Sequence, residues 1–145
     1  MAGRGILWTE RLCRWVIAGI FLAAAIPKIM HPSEFALDIS HYAMLPDALI
    51  NPLAVLLPWV EAVMGLALLS GFAAEGAISL ANILMVAFLA AMAQAWIRGL
   101  DIECGCFGHT GVRGKIGQAM LRDAGFFIIA LSALILRARR NRTSR

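Results

Sequence analysis

Two cysteines separated by one glycine, Cys104 and Cys106, stand in the polar segment 98–115 between the last two apolar runs of the chain. On the outer side of a membrane, paired thiols meet an oxidising compartment in which they form disulfides or exchange with them. Gly105 allows the tight backbone turn that brings both sulfurs together or points them at one partner. The pattern predicts a redox-active pair, with Cys104 and Cys106 as the candidate catalytic residues.

Two other interpretations of these cysteines stay open. An inert structural disulfide is one, although a Cys-Gly-Cys ring is tight and its strain would make the bond easy to reduce. A metal site with His109 as a third ligand is the other, but the sequence offers no evident fourth ligand and we assign no metal. The basic residues Arg98, Arg113 and Lys115 stand near the pair and would favour the thiolate, which is the nucleophilic form.

The composition indicates that the cysteines belong to an integral membrane protein. Of the 145 residues, 61% are apolar and 15% are charged, whereas a soluble domain averages about 45–50% apolar and about 25% charged residues. A globule of this size cannot bury such an excess, so we expect most of its surface to face lipid. The net charge of +4 arises mainly at the two ends of the chain, beside apolar runs. That placement indicates membrane topology rather than a nucleic-acid partner.

Four apolar runs approach the roughly 17–25 residues that a helix needs to cross a bilayer. They predict helices at about 14–30, 53–72, 77–97 and 116–136 in a single membrane domain that covers residues 1–145. The predicted fold class is therefore all-α, an integral membrane four-helix bundle. A cleaved signal peptide is the alternative for the first run, but no clear small-residue cleavage site follows it before Pro27.

Small residues recur at spacings that suit close contact between membrane helices. Gly19 and Ala23 form one such pair, and Ala87, Ala91 and Ala95 form a longer row. Small side chains let two helix backbones approach each other in lipid. Because alanine is common in any membrane helix, a single pair such as Gly19 and Ala23 is weak support for a packing face.

The distribution of basic residues predicts the orientation of the bundle. Eight of the 13 Lys and Arg residues lie at the two ends of the chain. Four crossings place both ends on one side, and the positive-inside rule makes that side cytoplasmic. Segments 31–52 and 98–115 then face outward, and segment 71–76 forms a tight cytoplasmic turn. Three basic residues lie in segment 98–115, on the side assigned to the outside, and they oppose this assignment. The assignment therefore depends on the larger number of basic residues at the two ends of the chain.

Charged residues within the apolar runs predict a buried polar network beneath the cysteines. Its members are Lys28, Glu61, Arg122 and Asp123. Charges inside a bilayer are costly, usually face the bundle interior and usually pair, so we expect Glu61 to pair with Arg122 or with Lys28. Two roles stay open for the network. It either fixes helix register, or it favours a thiolate, carries a proton or binds the polar head of a quinone, which is the only candidate cofactor.

Several motifs resemble those of a known family. The strings Pro27-Lys28, Tyr42-x-x-Leu45-Pro46 and Pro58-Trp59-Val60-Glu61-x-x-x-Gly65 are similar to those of DoxX-like membrane proteins. Cys104-Gly105-Cys106-Phe107-Gly108, followed by Arg122-Asp123, narrows the resemblance to the MauE branch, the methylamine utilisation proteins. The resemblance covers nearly the whole chain, from about residue 11 to residue 136.

The resemblance implies a multi-pass protein of the bacterial inner membrane with a periplasmic cysteine loop. It further implies a role in maturing the disulfide-rich small subunit of periplasmic methylamine dehydrogenase, beside a thioredoxin-like partner. The expected partners are thus the lipid bilayer and a thioredoxin-like or client protein. Cys104 and Cys106 carry over as redox residues, and the polar network carries over as motif positions without a role. A non-catalytic membrane anchor or scaffold of an oxidoreductase complex is the alternative function. A transporter is a more distant one, since no inverted repeat is visible.

Overall fold

The computed structural model describes residues 2–99 and 116–143 of the chain, so Cys104 and Cys106 lie outside the described residues. The helices are α1 (Ala2–Met30), α2 (Pro32–His41), α3 (Asp47–Ser70), α4 (Ala74–Ile97) and α5 (Ile116–Thr143). Four of them, α1, α3, α4 and α5, are long and apolar enough to cross a membrane. This confirms the predicted all-α class and the four crossing helices.

The described helices extend beyond the predicted bounds at both ends of the chain. Helix α1 begins at Ala2 rather than near residue 14, and α5 continues to Thr143 rather than ending near residue 136. The added turns contain charged residues such as Glu10 and Arg137, which interrupt the apolar runs in the sequence. A salt bridge joins these turns, because Nη1 of Arg137 on α5 lies 3.0 Å from Oε1 of Glu10 on α1.

Segment 31–52, which the apolar runs alone assign to a loop, is largely helical. Helix α2 begins with Pro32 at its first position, where a proline has no intrahelical hydrogen bond to lose. Helix α3 begins at Asp47, directly after Pro46, whose φ of −64° and ψ of 145° end the preceding segment in an extended conformation. Only a short connection thus separates α2 from α3, and α2 packs against α3 and α1.

The four crossing helices form a ring in which α1 contacts α3 and α5, and α4 contacts α5 and α3. Residues such as Ile17, Leu68 and Ile78 fill the centre of the ring and are fully buried. Large apolar side chains on the outside, for example Val63 and Ile83, are each 64% exposed. An exposed apolar surface of this kind is what a lipid-facing helix presents.

The closest approach of α1 and α3 is at Gly65. A Cβ atom at Gly65 would lie 2.7 Å from Cγ of Leu22 and 3.3 Å from the carbonyl oxygen of Ala18 on α1. Gly19, by contrast, is exposed and would have nothing within 4 Å of a Cβ atom. Gly19 and Ala23 both lie on the outer face of α1, so this pair forms no packing face among the described helices, in agreement with its weak support in the sequence.

Consecutive crossing helices run in opposite directions, which gives the bundle two distinct ends. The turn between α3 and α4 needs only residues 71–73, since Gly71 adopts a left-handed φ of 80° at the end of α3. We call this end, with the start of α1 and the end of α5, the turn end. The opposite end, which we call the α2 end, contains α2, the ends of α1 and α4 and the starts of α3 and α5. Segment 100–115, with both cysteines, connects α4 to α5 at the α2 end.

Candidate functional site

A buried ion pair joins α1 and α3 near the α2 end. The ammonium Nζ of Lys28 lies 2.9 Å from Oε1 and 3.0 Å from Oε2 of Glu61, so it donates to both carboxylate oxygens. Lys28 is 3% exposed and Glu61 is fully buried. Of the two partners that the sequence allows for Glu61, the structure therefore has Lys28.

Local sequence brings these two side chains together. Pro27 precedes Lys28 on α1, and Pro58 lies one turn before Glu61 on α3. A proline within a helix lacks the amide hydrogen, and the carbonyl four residues earlier loses its donor, which weakens the helix locally. The close approach at Gly65 places the two backbones near enough for Lys28 and Glu61 to meet directly.

Two aromatic rings surround the Lys28 ammonium. Nζ lies 4.8 Å from the ring centre of Phe35 on α2 and 5.2 Å from that of Phe88 on α4. The negative faces of aromatic rings attract a cation, most strongly where water is excluded. Lys28 thus links α1 with three other helices, although sequence reasoning assigned no role to Phe35 or Phe88.

Asp123 and Arg122 on α5 contact each other rather than Glu61. Nε of Arg122 lies 2.9 Å from Oδ1 of Asp123; the Arg122 side chain is 41% exposed, whereas the Asp123 side chain is 9% exposed. Asp123 nevertheless lies near the ion pair, because it lines a cavity of about 30 Å³ together with Lys28 and Glu61. The structure therefore brings three of the four network residues around one small cavity and leaves Arg122 outside its lining.

A larger cavity lies on the other side of Lys28, between α2, α3 and α4. Its volume is about 360 Å³, which is within the roughly 300–1,000 Å³ typical of small-molecule pockets. Its lining is mostly apolar, with side chains such as Leu57 and Phe88, and its polar groups include those of Lys28, Asp38 and Tyr42. The cavity suits an apolar molecule that carries a few polar atoms.

Sequence reasoning missed Asp38, which is only 7% exposed. Its position in segment 31–52 indicated a solvated loop, whereas α2 buries Phe35 and Asp38 on one face. A signal for this helix was present in the sequence. Pro32 is a favoured first helical residue, and Phe35 and Asp38 are three residues apart, the spacing of one helix face.

Arg98 connects the cavity to the segment that carries the cysteines. It follows the last residue of α4, and its Nη1 lies 3.4 Å from the carbonyl oxygen of Tyr42 and 3.3 Å from that of Ala43. These are long hydrogen bonds, and they hold the end of α4 beside the connection between α2 and α3. Arg98, after which the chain continues towards the cysteines, is therefore held next to the wall of the 360 Å³ cavity.

A second polar cluster lies at the turn end, far from Lys28. Arg137 lies 3.0 Å from Glu10, and its Nε lies 3.7 Å from Oε1 of Glu75. Arg14 is also buried there and packs against Gly71. Sequence reasoning used these arginines only to assign topology, because nothing in the sequence shows that the polar start of α1 meets the end of α5.

The chain is similar to one family of known proteins. Residues 6–136 match the model of a family described as methylamine utilisation protein MauE. Of three curated methylamine utilization proteins MauE, the one of Paracoccus denitrificans is 36% identical over 88% of this chain and 67% of its own length. That of Methylorubrum extorquens is 35% identical over 77% of this chain and 60% of its own. That of Methylophilus methylotrophus is 36% identical over 70% of this chain and 54% of its own length. The match thus spans about half to two thirds of these relatives, and no solved structure matches the chain.

Proposed function

The chain belongs to the MauE family of methylamine utilisation proteins, and from this premise we propose that it is a membrane thiol–disulfide protein. Cys104 and Cys106 cycle between a dithiol and a disulfide. The observation that supports the proposal is the position of Arg98, directly after α4, where the chain continues towards the cysteines. Arg98 donates to backbone carbonyls beside a ligand-sized cavity whose lining includes Lys28.

The proposed reaction transfers two electrons. When the dithiol is oxidised to the Cys104–Cys106 disulfide, the S–S bond forms while two electrons and two protons leave. The reverse exchange begins with a thiolate that attacks a sulfur of the disulfide and gives a mixed disulfide. The proposed protein partner is a periplasmic thioredoxin-like protein or a client that is being matured. A thiolate of its dithiol attacks the Cys104–Cys106 disulfide, and the exchange leaves a disulfide on the partner and a dithiol at Cys104 and Cys106, which an electron acceptor must reoxidise.

A quinone is the candidate small-molecule acceptor for the electrons. The 360 Å³ cavity fits the group because apolar walls suit a ring with a hydrocarbon tail, while Lys28, Asp38 and Tyr42 supply polar contacts for its oxygens. A quinone held there would supply an acceptor for two electrons and two protons. In this proposal Glu61 positions Lys28, whose side chain reaches the lining of the cavity.

Participation in methylamine utilisation is part of the same proposal. The three relatives are named for that process. A methylamine-oxidising pathway would supply a client with many disulfides, in agreement with a thiol–disulfide role. We therefore propose maturation of such a periplasmic client as the function of the Cys104–Cys106 pair, with this chain in the inner membrane.

One feature favours a different class of function, a non-catalytic membrane scaffold of an oxidoreductase complex. Lys28 bonds both oxygens of Glu61, and the two side chains are 2% and 1% exposed. An ion pair whose two members bond each other and are shielded from solvent can hold two helices in register without any role in chemistry. On this view the cysteines form a structural disulfide, and loss of both leaves the assembly active.

Thiol trapping in intact cells distinguishes the two functions. The experiment uses a Cys13→Ser background, because Cys13 is a free thiol on α1. A membrane-impermeant maleimide should label the protein only after mild reduction, with two labels per chain. Single Cys104→Ser and Cys106→Ser variants should then differ, and one of them should accumulate a mixed disulfide with a thioredoxin-like protein.

The control is the variant that lacks all three cysteines, which should insert normally and take up no label. Labelling without reduction would indicate an outward dithiol and a reducing role. If an inserted chain takes up no label under either condition, or if the double serine variant keeps full function, the thiol–disulfide proposal is wrong and the scaffold replaces it.

A further inference from the structure

A polar pocket at the turn end is separate from the site described above. It lies between the start of α1, the end of α3 and the end of α5, and its volume is about 410 Å³. Three arginines line it, Arg11, Arg14 and Arg137, against one carboxylate, Glu10. Unlike the cavity beside Lys28, it is lined mainly by polar surface.

The carboxylates near this pocket are both in contact with Arg137. Its Nη1 donates to Oε1 of Glu10 at 3.0 Å, and Glu75 lies 3.7 Å from its Nε. Arg14 is different. It is 9% exposed, and among the residues that the structure describes it has no hydrogen bond or ion pair, with its buried Nε atom unsatisfied. The pocket therefore contains a buried guanidinium that makes no hydrogen bond or ion pair with a described carboxylate.

The surroundings of Arg14 account for only part of the cost of burying it. Its guanidinium packs against Gly71, where an added Cβ atom would lie 2.9 Å from Nη1. Gly71 caps α3, and the negative end of the α3 dipole attracts a cation there. A buried donor without an acceptor still costs free energy, and the cost is larger when the group is charged. An anion in the pocket would satisfy these donors.

We propose that this pocket binds a phosphate-bearing anion, with Arg14 as its principal ligand. The planar guanidinium presents paired N–H donors that match phosphate oxygens, and its positive charge strengthens each hydrogen bond. Arg11 stands at the exposed rim and adds a second positive charge. The inference is independent of the cysteine chemistry, since it concerns the opposite end of the bundle.

The phosphate has two chemical sources, a phospholipid headgroup or a soluble phosphate. Trp15 and Leu69 flank the pocket and are 47% and 42% exposed, so apolar surface continues from its edge. A tryptophan beside basic residues is typical of the membrane–water interface, where anionic headgroups lie. Acyl chains of a phospholipid could lie along this surface, whereas a soluble phosphate would use only the arginines.

The test compares lipids bound to the purified full-length protein by native mass spectrometry. The protein is supplied with equal amounts of phosphatidylglycerol and phosphatidylcholine. Wild type should retain phosphatidylglycerol in preference, and Arg14→Gln should weaken that retention by about tenfold, the loss expected for a charge-assisted hydrogen bond. Arg14→Lys should keep part of the preference. Arg139→Gln is the matched control, because it removes one positive charge from the same end of the bundle, on α5, outside the pocket lining. This variant should retain phosphatidylglycerol as wild type does.

A second arm supplies inorganic phosphate to the protein in phosphatidylcholine nanodiscs and follows the thermal unfolding midpoint. A rise in the midpoint for wild type but not for Arg14→Gln identifies a soluble phosphate as the ligand, whereas phosphatidylglycerol retention without this rise identifies the lipid. The inference is overturned if wild type prefers neither anion. It is also overturned if Arg139→Gln and Arg14→Gln lose retention equally, because bulk surface charge would then explain the binding. If Arg14→Gln fails to fold, Arg14→Lys takes its place, and the inference is overturned if Arg14→Lys and Arg139→Gln retain phosphatidylglycerol equally well.

Discussion

The Lys28–Glu61 pair lies where water cannot solvate either ion. In such an interior the two charges attract each other strongly, but taking both out of water costs a comparable amount of free energy. The pair therefore adds little net stability compared with a well-packed apolar pair. Removal of only one of the two charges should destabilise the protein, because the remaining charge is then buried without a partner.

Single replacements of the pair should therefore destabilise the protein much more than a double replacement. We expect Lys28→Met and Glu61→Leu each to lower the free energy of unfolding by about 3–5 kcal/mol, because each leaves one uncompensated buried charge. The double variant should recover most of that loss. Denaturant unfolding of the purified protein in detergent gives the four values of a double-mutant cycle and hence the coupling.

The double variant also separates the two roles that the network allows. If its stability is near that of wild type but thiol exchange at Cys104 and Cys106 is lost, the charges take part in the function. If both stability and exchange are normal, the pair serves only helix register. Single variants that unfold as wild type does would contradict a direct ion pair between Lys28 and Glu61.

At the scale of single residues, the sequence predicts that buried charges pair but not which atoms meet. A charge within an apolar run needs a partner, so Lys28 and Glu61 are identifiable without a structure. The choice between Lys28 and Arg122 as the partner of Glu61 depends on helix rotation and on the order of helices in the ring, which no local pattern encodes. Buried Arg14 was missed for the same reason, since its burial depends on where α3 ends.

At the scale of the helices, the contact between α1 and α3 depends on the absence of a side chain at Gly65. The ideal Cβ position there lies 2.7 Å from Cγ of Leu22, closer than real Cβ atoms come to a neighbour. Because the carbonyl oxygen of Ala18 also lies within 3.3 Å, movement of Leu22 alone would not relieve the crowding. The two helix backbones would have to separate.

Replacement of Gly65 by alanine should therefore weaken the bundle. We expect Gly65→Ala to lower the free energy of unfolding by about 1–3 kcal/mol, the usual cost of overpacking a tight interface. Gly19→Ala is the matched control on the partner helix, since nothing lies within 4 Å of its added Cβ atom. That control should be neutral or slightly stabilising, because alanine favours helix more than glycine does. Equal effects of the two substitutions on the unfolding midpoint would contradict this account of the interface.

The sequence predicts the crossing helices well and their polar extensions poorly. Apolar length alone locates α1, α3, α4 and α5, because each crossing needs a long run without water-exposed backbone. The start of α1 and helix α2 contain charged residues, and their helical state depends on contacts with other elements. Glu10, for example, is buried beside Arg137, which arrives from the other end of the chain.

At the scale of the whole molecule, the number of crossings determines the sides on which the segments lie. Helix α2 has ten residues, about 15 Å at 1.5 Å per residue, and a bilayer core is about 30 Å thick. It therefore cannot cross. With four crossings, both ends of the chain lie on one side, and the excess of arginine at these ends predicts that this side is the cytoplasm.

Reporter fusions should show an alternating pattern along the chain. A fusion after Gly71 follows two crossings, one after Gly99 follows three and one after Arg145 follows four. We expect green fluorescent protein to fluoresce after Gly71 and Arg145, and alkaline phosphatase to be active only after Gly99, since it needs export to fold. The fusion after Gly99 is the decisive one, because it reports the side on which the segment with Cys104 and Cys106 begins.

If α2 crossed the membrane, the fusions after Gly71, Gly99 and Arg145 would all change side relative to a fixed amino terminus. If the whole pattern were inverted, the cysteines would face the reducing cytoplasm, and the outward thiol–disulfide role would be excluded along with the topology.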